Sequence, residues 1–344
     1  MTRVAVLTGG STPERDVALA GATQVVSALR AAGFDVTVVD TVTGVLTPEQ
    51  EAELLTGVVE REAPTTAQLA ALRQRELGPL LTQLPEVRAA DVVFPVLHGR
   101  DGEGGELQDL LGQAGLPFTG SDAVGSRMAM AKDLAKERFR SVGLATPDWA
   151  MWPVSEGRLE QLGLPLIVKP SRVGSTIGLS LVESLDEMEA AVERAARYDD
   201  DVMVERFVRG KELTVGVLGD TPLAVGEIIP EHVVFDYECK YTPGMSKEIF
   251  PADLSEVETA RLQNDALRAH RVLSLRDMSR VDFILTPDQT AYCLEVNTLP
   301  GLAPTSLLPQ SAAAAGIGFG ELCTRLCEMA LRRSEGTKAT SKGS

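Results

Sequence analysis

The chain has 344 residues, a length that favours two or three domains over a single one. Its composition, 44% hydrophobic and 24% charged, is that of a soluble globular protein with a sizeable core. The formal net charge of −16 disfavours nucleic acid and anionic membranes as partners, because both carry negative charge themselves. An anionic small molecule would therefore need a local group of Lys and Arg side chains, or a divalent cation, in order to bind.

Nothing in the sequence directs the chain to a membrane or out of the cell. No segment approaches the roughly 20 apolar residues of a membrane-spanning helix. The apolar run in MTRVAVLTGG is too short for a signal peptide and leads directly into a strand. We therefore expect a cytoplasmic protein. Cys323 and Cys327 lie one helical turn apart with no His or further Cys nearby in the sequence, so core packing is favoured over a zinc site.

Strands and helices alternate at the start of the chain. Apolar runs predict strands at residues 3–9, 35–40 and 91–97, and a helix at 16–32 that ends at Gly33. This order is typical of an α/β fold with a doubly wound parallel sheet. Residues 41–90 separate the second and third strands and begin a helix at Thr47 and Pro48. We interpret them as a helical insertion with a structural or oligomeric role.

The pattern changes beyond residue 121 to helices followed by short strands. Helices are predicted at 122–130 and 133–141, and strands at 166–169, 179–182, 202–205 and 212–218. Capping boxes predict two further helix starts, at Ser184 and at Ser255. A long polar loop spans 233–251, followed by strands at 278–286 and 291–296 and by helices at 308–315 and 318–333. The polar tail, 335–344, is predicted to be disordered.

The two strands at 278–286 and 291–296 carry the most informative chemistry. A symmetric turn at residues 288–289 places Asp282 opposite Glu295. The same turn places Arg280 opposite Asn297 on that face of the hairpin. Two carboxylates that face each other at about 5 Å between Cβ atoms repel, and a divalent cation offsets that repulsion. Because carboxylate and amide oxygens are the ligands that Mg²⁺ prefers, the hairpin predicts a metal site rather than a solvated charged face.

Three glycine-rich segments lie at predicted strand ends, and none matches the P-loop or dinucleotide-binding patterns. The segment SRVGSTIG, residues 171–178, follows a strand that ends at Lys169. Its backbone N–H groups suit a loop that closes over phosphates, and a tight strand turn is an equally good interpretation. The segments at 9–12 and 98–105 precede helices at strand ends, where ligands bind in open α/β sheets. His98 lies in the second of them.

Nine segments, in order along the chain, resemble the D-alanine–D-alanine ligase family of the ATP-grasp superfamily. They are GGSTPERD, VLHGRDGEGG, the lysine of MAMAKD, IVKPSRVGSTIG, VERFVRGKE, FDYECKY, RVDF, LEVNTLPG and TSLLP. Each segment is weak alone, but the nine in order cover nearly the whole chain and are highly specific. The sequence departs from the usual family pattern at positions that carry none of the roles given below: Thr12, Ala18, Ala131 and Thr176.

The resemblance implies a three-domain ATP-grasp architecture. A substrate-binding α/β domain is expected at 1–121, a central domain at 122–206 and a catalytic domain at 207–334, with ATP bound between the last two, which are α+β. The loop at 233–251 is expected to be a mobile lid, although without the resemblance a passive surface loop would be favoured. The implied activity is ATP-dependent ligation of two D-alanine molecules to D-alanyl-D-alanine through a D-alanyl phosphate, for peptidoglycan precursor synthesis. A homodimer is also implied.

The resemblance assigns the nucleotide and metal sites residue by residue. Lys132 and Lys169 match phosphate-contacting lysines. Glu205 matches the residue that meets the adenine amino group, and Glu212 the residue that binds the ribose hydroxyls. The ligands of two Mg²⁺ or Mn²⁺ ions match the hairpin residues already singled out, namely Asp282, Glu295 and Asn297.

The two D-alanine subsites are implied in the same way. The first matches a hydrogen-bonded triad with a histidine beside it, formed by Glu14, Ser175, Tyr241 and His98. Arg280 would contact the reacting phosphate and the tetrahedral intermediate, and the backbone N–H of Gly301 would face the developing oxyanion. The second D-alanine matches a subsite formed by Ser306 and Leu307, with Lys240 contributed by the lid.

Other functions remain open on this fold. A depsipeptide ligase takes D-lactate as its second substrate, but relatives of that kind lack the Lys240-Tyr241 pair that is present here. A ligase for other acids is disfavoured by the triad residues Glu14, Ser175 and Tyr241. A non-catalytic ATP-binding regulator would be expected to lose Arg280 or metal ligands, and these residues are all present.

Overall fold

The structure is a computed structural model and describes residues 1–57, 65–174, 176–231, 244–303 and 305–341. Three sheets organise the fold, and each is formed by a different stretch of the chain. Within the described ranges, no helix is both long enough and apolar enough to cross a membrane.

The first sheet is parallel at its centre. Its strands are β1 (Arg3–Thr8), β2 (Asp35–Asp40), β3 (Gly44–Val45) and β4 (Val92–Pro95), in the order β3-β2-β1-β4. Both β2 and β4 pair with β1 in parallel, and helix α1 (Arg15–Ala31) connects β1 to β2. Residues 4–7 of β1 are at most 1% exposed, as a continuous apolar run predicts for a strand covered on both faces. The predicted parallel α/β sheet is confirmed.

The insertion between β2 and β4 packs against this sheet. It contains α2 (Pro48–Leu54), α3 (Thr66–Arg73), a 3-10 helix (Gly78–Gln83) and α4 (Pro85–Ala89). The capping box predicted at Thr47 is present, with Gln50 as its partner. Leu81 and Val87 share one buried cluster with Leu7 of β1. The described part of the insertion therefore has a structural role, and an oligomeric role stays a prediction.

The second sheet is antiparallel. It follows α5 (Gly99–Glu103), α6 (Glu106–Gln113), α7 (Ala123–Met130) and α8 (Lys132–Ser141). Its strands are β5 (Trp149–Met151), β6 (Leu166–Pro170), β7 (Ser180–Val182) and β8 (Val202–Arg206), in the order β5-β8-β6-β7. The connections contain α9 (Glu156–Leu162) and α10 (Met188–Ala196).

The capping box predicted at Ser184 is wrong. Ser184 caps a 3-10 turn, Leu185–Glu187, by accepting a hydrogen bond from Asp186 N at 3.4 Å, and α10 begins only at Met188. The Glu187 carboxylate accepts from Glu183 N at 2.9 Å, so it is not available to the backbone of Ser184.

The third sheet is antiparallel, in the order β11-β10-β9-β12-β13. Its strands are β9 (Lys211–Leu218), β10 (Thr221–Pro230), β11 (Ser246–Ile249), β12 (Met278–Leu285) and β13 (Ala291–Asn297). Sequence analysis missed β10, because Pro222, Gly226 and Pro230 interrupt its apolar pattern. It also placed β11 within the loop 233–251, whereas β11 pairs with β10 at the sheet edge.

The remaining helices are α12 (Glu256–Val272), α13 (Leu307–Ala314) and α14 (Phe319–Ser341). The capping box predicted at the start of α12 is present between Ser255 and Glu258. Helix α14 continues through Ser341, whereas sequence analysis predicted a disordered tail from residue 335. Extending an existing helix is easier than nucleating one, and the segment contains no proline to stop it.

The first sheet shares its core with the last two helices. Val6 and Phe94 lie in one buried cluster with Leu308 of α13 and with Leu322 and Leu326 of α14. The two ends of the chain therefore pack together, and the loops that follow β1 and β4 are held beside the third sheet.

Asp277, just before β12, joins three parts of the fold. Its side chain is almost completely buried, and its Oδ2 accepts from Gly120 N at 2.8 Å and from Arg333 Nη2 at 2.8 Å. Arg333 of α14 also donates to the carbonyl oxygen of Phe118 at 2.8 Å. The buried Asp277 carboxylate thus ties the end of the amino-terminal region to α14 and to β12.

Replacement of Asp277 by Ala should leave the buried Gly120 N–H without its acceptor and remove the ion pair with Arg333, whose side chain is 31% exposed. We expect the free energy of unfolding to fall by about 1–3 kcal/mol, which is the usual cost of leaving one partner of a buried hydrogen bond unsatisfied. Chemical denaturation measures this loss. The control Asp220→Ala breaks a pair with Arg271 whose side chains are 83% and 58% exposed, and it should cost less than about 1 kcal/mol. Equal losses in the two variants would contradict the assignment.

Candidate active site

A cleft of about 510 Å³ lies between the second and third sheets. Apolar side chains from both sheets line it, including Ile167, Ile228 and Ile284. Its size is typical of a small-molecule site. This cleft is lined by seven residues that the sequence assigned to the nucleotide, the metal or the reacting phosphate. They are Lys132, Lys169, Glu205, Glu212, Arg280, Asp282 and Glu295.

The pairing predicted for the β12–β13 hairpin is confirmed, although the predicted turn is not. Asp282 lies opposite Glu295, and Arg280 lies opposite Asn297. The turn itself is centred on Asp288, since Thr286 N donates to the carbonyl oxygen of Thr290 at 3.0 Å. A register shift beside Asp282 then restores the predicted pairs.

The residue left over by this register shift is Leu294, which forms a β-bulge. Leu294 and Glu295 consequently both line the cleft, although they are neighbours in the sequence. Cys293, on the other side of the bulge, is buried in the core. The bulge therefore changes the direction of the strand's side chains so that the Glu295 carboxylate faces the cleft.

Asp282 is held by hydrogen bonds from three neighbours. Arg280 donates from Nε to Oδ1 at 3.0 Å and from Nη2 to Oδ2 at 2.8 Å. Thr214 Oγ1 donates to Oδ1 at 2.7 Å, and Asn297 Nδ2 donates to Oδ2 at 3.1 Å. Burial lowers the pKa of Arg280, but the surrounding carboxylates outweigh burial and raise it, so the guanidinium stays cationic.

Lys132 neutralises the opposite carboxylate. Its Nζ lies 3.3 Å from Glu295 Oε2 and donates to the carbonyl oxygen of Val173 at 2.9 Å. Protein cations thus offset the repulsion between Asp282 and Glu295, a task that sequence analysis assigned to a metal. Among the described residues, no three His, Cys, Asp or Glu side chains are grouped to hold a metal ion. The predicted set, two carboxylates and the Asn297 amide, stays a prediction.

Glu205 is buried against two lysines. Lys169 Nζ donates to its Oε1 at 2.9 Å, and Lys136 Nζ lies 2.5 Å from its Oε2. Burial raises the pKa of Glu205, but the two lysines outweigh burial and hold the pKa below its ordinary value. Sequence analysis missed Lys136. The available signal was its position four residues after Lys132, which places both lysines on one face of α8.

Described residues of the glycine-rich segment 171–178 line the cleft, as the phosphate-binding interpretation predicts. Val173, Thr176 and Ile177 line the cleft. The segment is anchored at its start, where Ser171 Oγ donates to Asp133 Oδ1 at 2.9 Å. Gly178 at its end has a φ of +76°, a left-handed conformation that favours glycine. Ser175 lies outside the described residues.

The loops that follow β1 and β4 meet in a second group of side chains near Arg280. Glu14 is buried, and its Oε2 lies 3.0 Å from the position that a Cβ on Gly99 would occupy. Burial lowers the pKa of His98, although Glu14 and a hydrogen bond to the Leu299 backbone act in the opposite direction. The His98 imidazole is therefore neutral near pH 7. Its Nε2 has no hydrogen-bond partner in the part of the chain that the structure describes.

Glu103, which sequence analysis also missed, joins this group to the end of β13. Its Oε1 accepts from Thr298 N at 2.9 Å and from Leu299 N at 3.0 Å. Burial raises the pKa of Glu103 to about 7, and Glu14 adds to the rise, although the two N–H groups and the Arg280 charge favour the carboxylate. The available signal was a carboxylate within the strand-end segment HGRDGEGG.

Three further predicted residues, Gly301, Ser306 and Leu307, lie at or just before the amino terminus of α13. A Cβ on Gly301 would lie 2.7 Å from Ser306 Oγ, so only glycine allows this approach. Leu307 is buried in contact with Ile228 of the cleft wall and with Phe250. Lys240 and Tyr241, like most of the loop 233–251, lie outside the described residues. Their roles stay predictions.

Two family models match the chain: D-ala D-ala ligase N-terminus over residues 3–121, and D-ala D-ala ligase C-terminus over residues 131–328. The chain belongs to the D-alanine–D-alanine ligase family. It is 39% identical over 331 residues to the D-alanine–D-alanine ligase of Anaeromyxobacter sp. (strain Fw109-5), covering 95% of this chain and 96% of that one. It is 38% identical over 348 residues to that of Geobacter sulfurreducens, covering 99% and 98%.

Solved structures of this family have the same fold. The D-alanine–D-alanine ligase of Coxiella burnetii aligns with a TM-score of 0.80 at 28% identity, covering 99% of this chain and 97% of that one. The enzyme of Bacillus anthracis, solved in complex with ATP, aligns with a TM-score of 0.78 at 25% identity, covering 98% and 100%. The predicted ATP-grasp fold is confirmed, and the chain is an enzyme, a ligase of this family.

The raised pKa of Glu103 predicts a pH-dependent stability. A carboxyl whose pKa is about 7 in the folded state and 4.5 ordinarily binds its proton more tightly when folded. The free energy of unfolding should therefore fall as pH rises through this window, by up to about 3 kcal/mol. Glu103→Gln keeps an oxygen for the two N–H groups but does not titrate, so this fall should be absent in the variant.

Urea denaturation of the apo protein at about pH 5 and about pH 7.5 measures the difference. Glu106→Gln is the matched control, because Glu106 is three residues away and its side chain is 58% exposed. Its pH dependence should equal that of the wild type. Parallel pH profiles for the wild type and Glu103→Gln would show that Glu103 is not the titrating group.

Proposed function

We propose that this ligase joins two D-alanine molecules to D-alanyl-D-alanine and converts ATP to ADP and phosphate. The observation that carries the proposal is the convergence of seven predicted residues on one cleft. One of them, Arg280, also lies near the Glu14–His98 group, where its charge lowers the pKa of His98. The activity named for the relatives from Anaeromyxobacter and Geobacter supports it.

ATP is assigned to the cleft between the second and third sheets. Glu205 would accept a hydrogen bond from the adenine amino group, and Glu212 would accept from the ribose hydroxyls. Lys132 and Lys169 would bind phosphate oxygens. The chain has a net charge of −16 and would repel an anionic ligand, and these lysines supply the local positive charge that attracts it.

Two metal ions, either Mg²⁺ or Mn²⁺, are assigned to a site formed by Asp282, Glu295 and Asn297. The donor set fits a hard cation, since the two carboxylates and the amide lie at one end of the hairpin. When bound, the metal would neutralise phosphate charge. Lys132 and Arg280, which contact these carboxylates in the structure, would then be available to phosphate oxygens.

The chemistry has two steps. A carboxylate oxygen of the first D-alanine attacks the γ-phosphorus of ATP, ADP leaves, and D-alanyl phosphate forms. The amine nitrogen of the second D-alanine attacks the acyl carbon, phosphate leaves, and the nitrogen loses a proton. Arg280 would neutralise the transferred phosphoryl group, and Gly301 N–H would donate to the oxyanion, an interaction typically worth about 3 kcal/mol.

The two alanines are assigned to adjoining places. Glu14, Ser175, Tyr241 and His98 would hold the first, and Ser306, Leu307 and Lys240 the second. Leu307 already contacts Ile228 of the cleft wall, so the second subsite adjoins the nucleotide. An acyl phosphate hydrolyses in water, and the loop 233–251 is therefore proposed to close over it.

The cellular setting follows from the reaction. D-alanyl-D-alanine is proposed to be a peptidoglycan precursor made in the cytoplasm. The expected homodimer stays a prediction, which sedimentation equilibrium tests directly.

Phosphate release from Mg-ATP tests the proposed activity. We expect release that requires D-alanine, is not supported by L-alanine, and yields D-alanyl-D-alanine. Incorporation of D-lactate near neutral pH would instead identify a depsipeptide ligase. Absence of phosphate release with all of these substrates would contradict the proposed substrate and activity.

The variant Glu295→Gln tests the assigned metal ligands. It removes one anionic oxygen from the site, and kcat should fall at least about a hundredfold while the free energy of unfolding changes little. Asp288→Asn is the matched control, because it removes the same charge from the tip of the same hairpin, away from the cleft. It should retain wild-type kcat. Full activity in Glu295→Gln is incompatible with the metal assignment.

A further inference from the structure

A completely buried lysine lies behind the cleft and has no part in the function proposed above. Lys136 is 0% exposed. Its Nζ lies 2.5 Å from Glu205 Oε2, donates to Thr146 Oγ1 at 2.6 Å and to the carbonyl oxygen of Pro147 at 3.3 Å. The centroid of the Trp149 ring lies 5.4 Å from the same nitrogen. Two hydrogen-bond acceptors, one carboxylate and an aromatic ring thus hold this ammonium group in one place.

The Glu205 carboxylate consequently binds one lysine on each oxygen. Lys169 donates to Oε1 at 2.9 Å and lines the cleft, whereas Lys136 on Oε2 is sealed from solvent. One negative charge faces two positive charges, so this group carries a surplus positive charge. Because the charge of Lys136 alone neutralises Glu205, the positive charge of Lys169 is available to a ligand in the cleft.

The proposed function makes two demands that compete at this point. Glu205 must stay ionised to accept a hydrogen bond from adenine, and Lys169 must reach the phosphates. In the structure, however, Lys169 is bound to Glu205 itself. If Lys169 were the sole partner, its departure would leave a buried carboxylate without a counter-charge, which is strongly unfavourable.

We propose that Lys136 is a positioning residue that holds Glu205 ionised and in place while Lys169 moves from Glu205 to the phosphate chain of bound ATP. The inference rests on the proposed function, because it takes ATP as the ligand of the cleft. It extends that function by adding Lys136 to the nucleotide site, as a buried cation that allows Lys169 to leave Glu205.

The protonation of the group agrees with this role. Burial lowers the pKa of Lys136 to about 8 against the attraction of Glu205, and the charge of Lys169 lowers it further. Departure of Lys169 removes that repulsion and raises the pKa of Lys136. Lys136 therefore stays charged when it alone neutralises Glu205. Burial also raises the pKa of the nearby Cys293 thiol, which therefore stays neutral.

The test compares ATP with adenosine, which has the base and the ribose but no phosphates. Calorimetric titration of the wild type and of Lys136→Met gives a Kd for each ligand. In Lys136→Met, Glu205 keeps its ion pair with Lys169, and we expect Lys169 to stay bound to it. We expect the Kd for ATP to rise at least about tenfold and the Kd for adenosine to change less than about threefold.

Arg140→Met is the matched control. Arg140 packs 4.1 Å from the centroid of the same Trp149 ring, but it is half-exposed and pairs with Asp148 rather than with Glu205. Its ratio of ATP to adenosine affinity should equal the wild-type ratio. The inference is overturned if Lys136→Met weakens both ligands by the same factor, or weakens neither.

A second pair of variants covers the case in which Lys136→Met does not fold because Glu205 has lost a partner. Glu205→Gln and the double variant Lys136→Met/Glu205→Gln both lack the charge that retains Lys169. They should share one ratio of ATP to adenosine affinity within about threefold. A lower ratio in the double variant would mean that Lys136 acts independently of Glu205. Failure of the wild type to bind ATP at all would overturn the proposed function first, which keeps the two failures distinct.

Discussion

Charge compensation around a partly buried cleft is the constraint on which the rest of this structure depends. Asp282 and Glu295 face each other across a hairpin, and Glu205 lies buried across the same cleft. Carboxylates in such positions are tolerated only when cations are bound to them. Arg280, Lys132, Lys169 and Lys136 serve this purpose, and the first three are also the cations proposed to move from these carboxylates to the phosphates of a bound nucleotide.

The fold is arranged to bring these groups together from distant parts of the chain. The third sheet supplies Arg280 and both hairpin carboxylates, the second sheet supplies Lys169 and Glu205, and helix α8 supplies Lys132 and Lys136 from between them in the sequence. The first sheet contributes Glu14 and His98 because it packs on the last two helices rather than standing apart. Glu103 completes the link by accepting two N–H groups just after β13.

Local irregularities are concentrated where the chemistry is. The bulge at Leu294 turns two consecutive residues of β13 toward the cleft, and no periodic strand would do so. Gly99 and Gly301 allow close approach of Glu14 and of Ser306, which a side chain at either position would obstruct. The regular elements around them are ordinary and well packed, and their task is to hold these few positions still.

The sequence by itself determined the parallel first sheet, most of the strands and the opposition of Asp282 to Glu295, because period and capping are local properties of the chain. The family resemblance selected seven residues that the structure brings to one cleft. The sequence did not reveal β10, whose prolines and glycine interrupt its apolar pattern. It also did not reveal the roles of Lys136 and Glu103, which depend on partners far away in the sequence. Only the tertiary structure decided those, since a lysine or a glutamate acquires a perturbed pKa and a fixed partner from residues far away in sequence, and no local pattern records that environment.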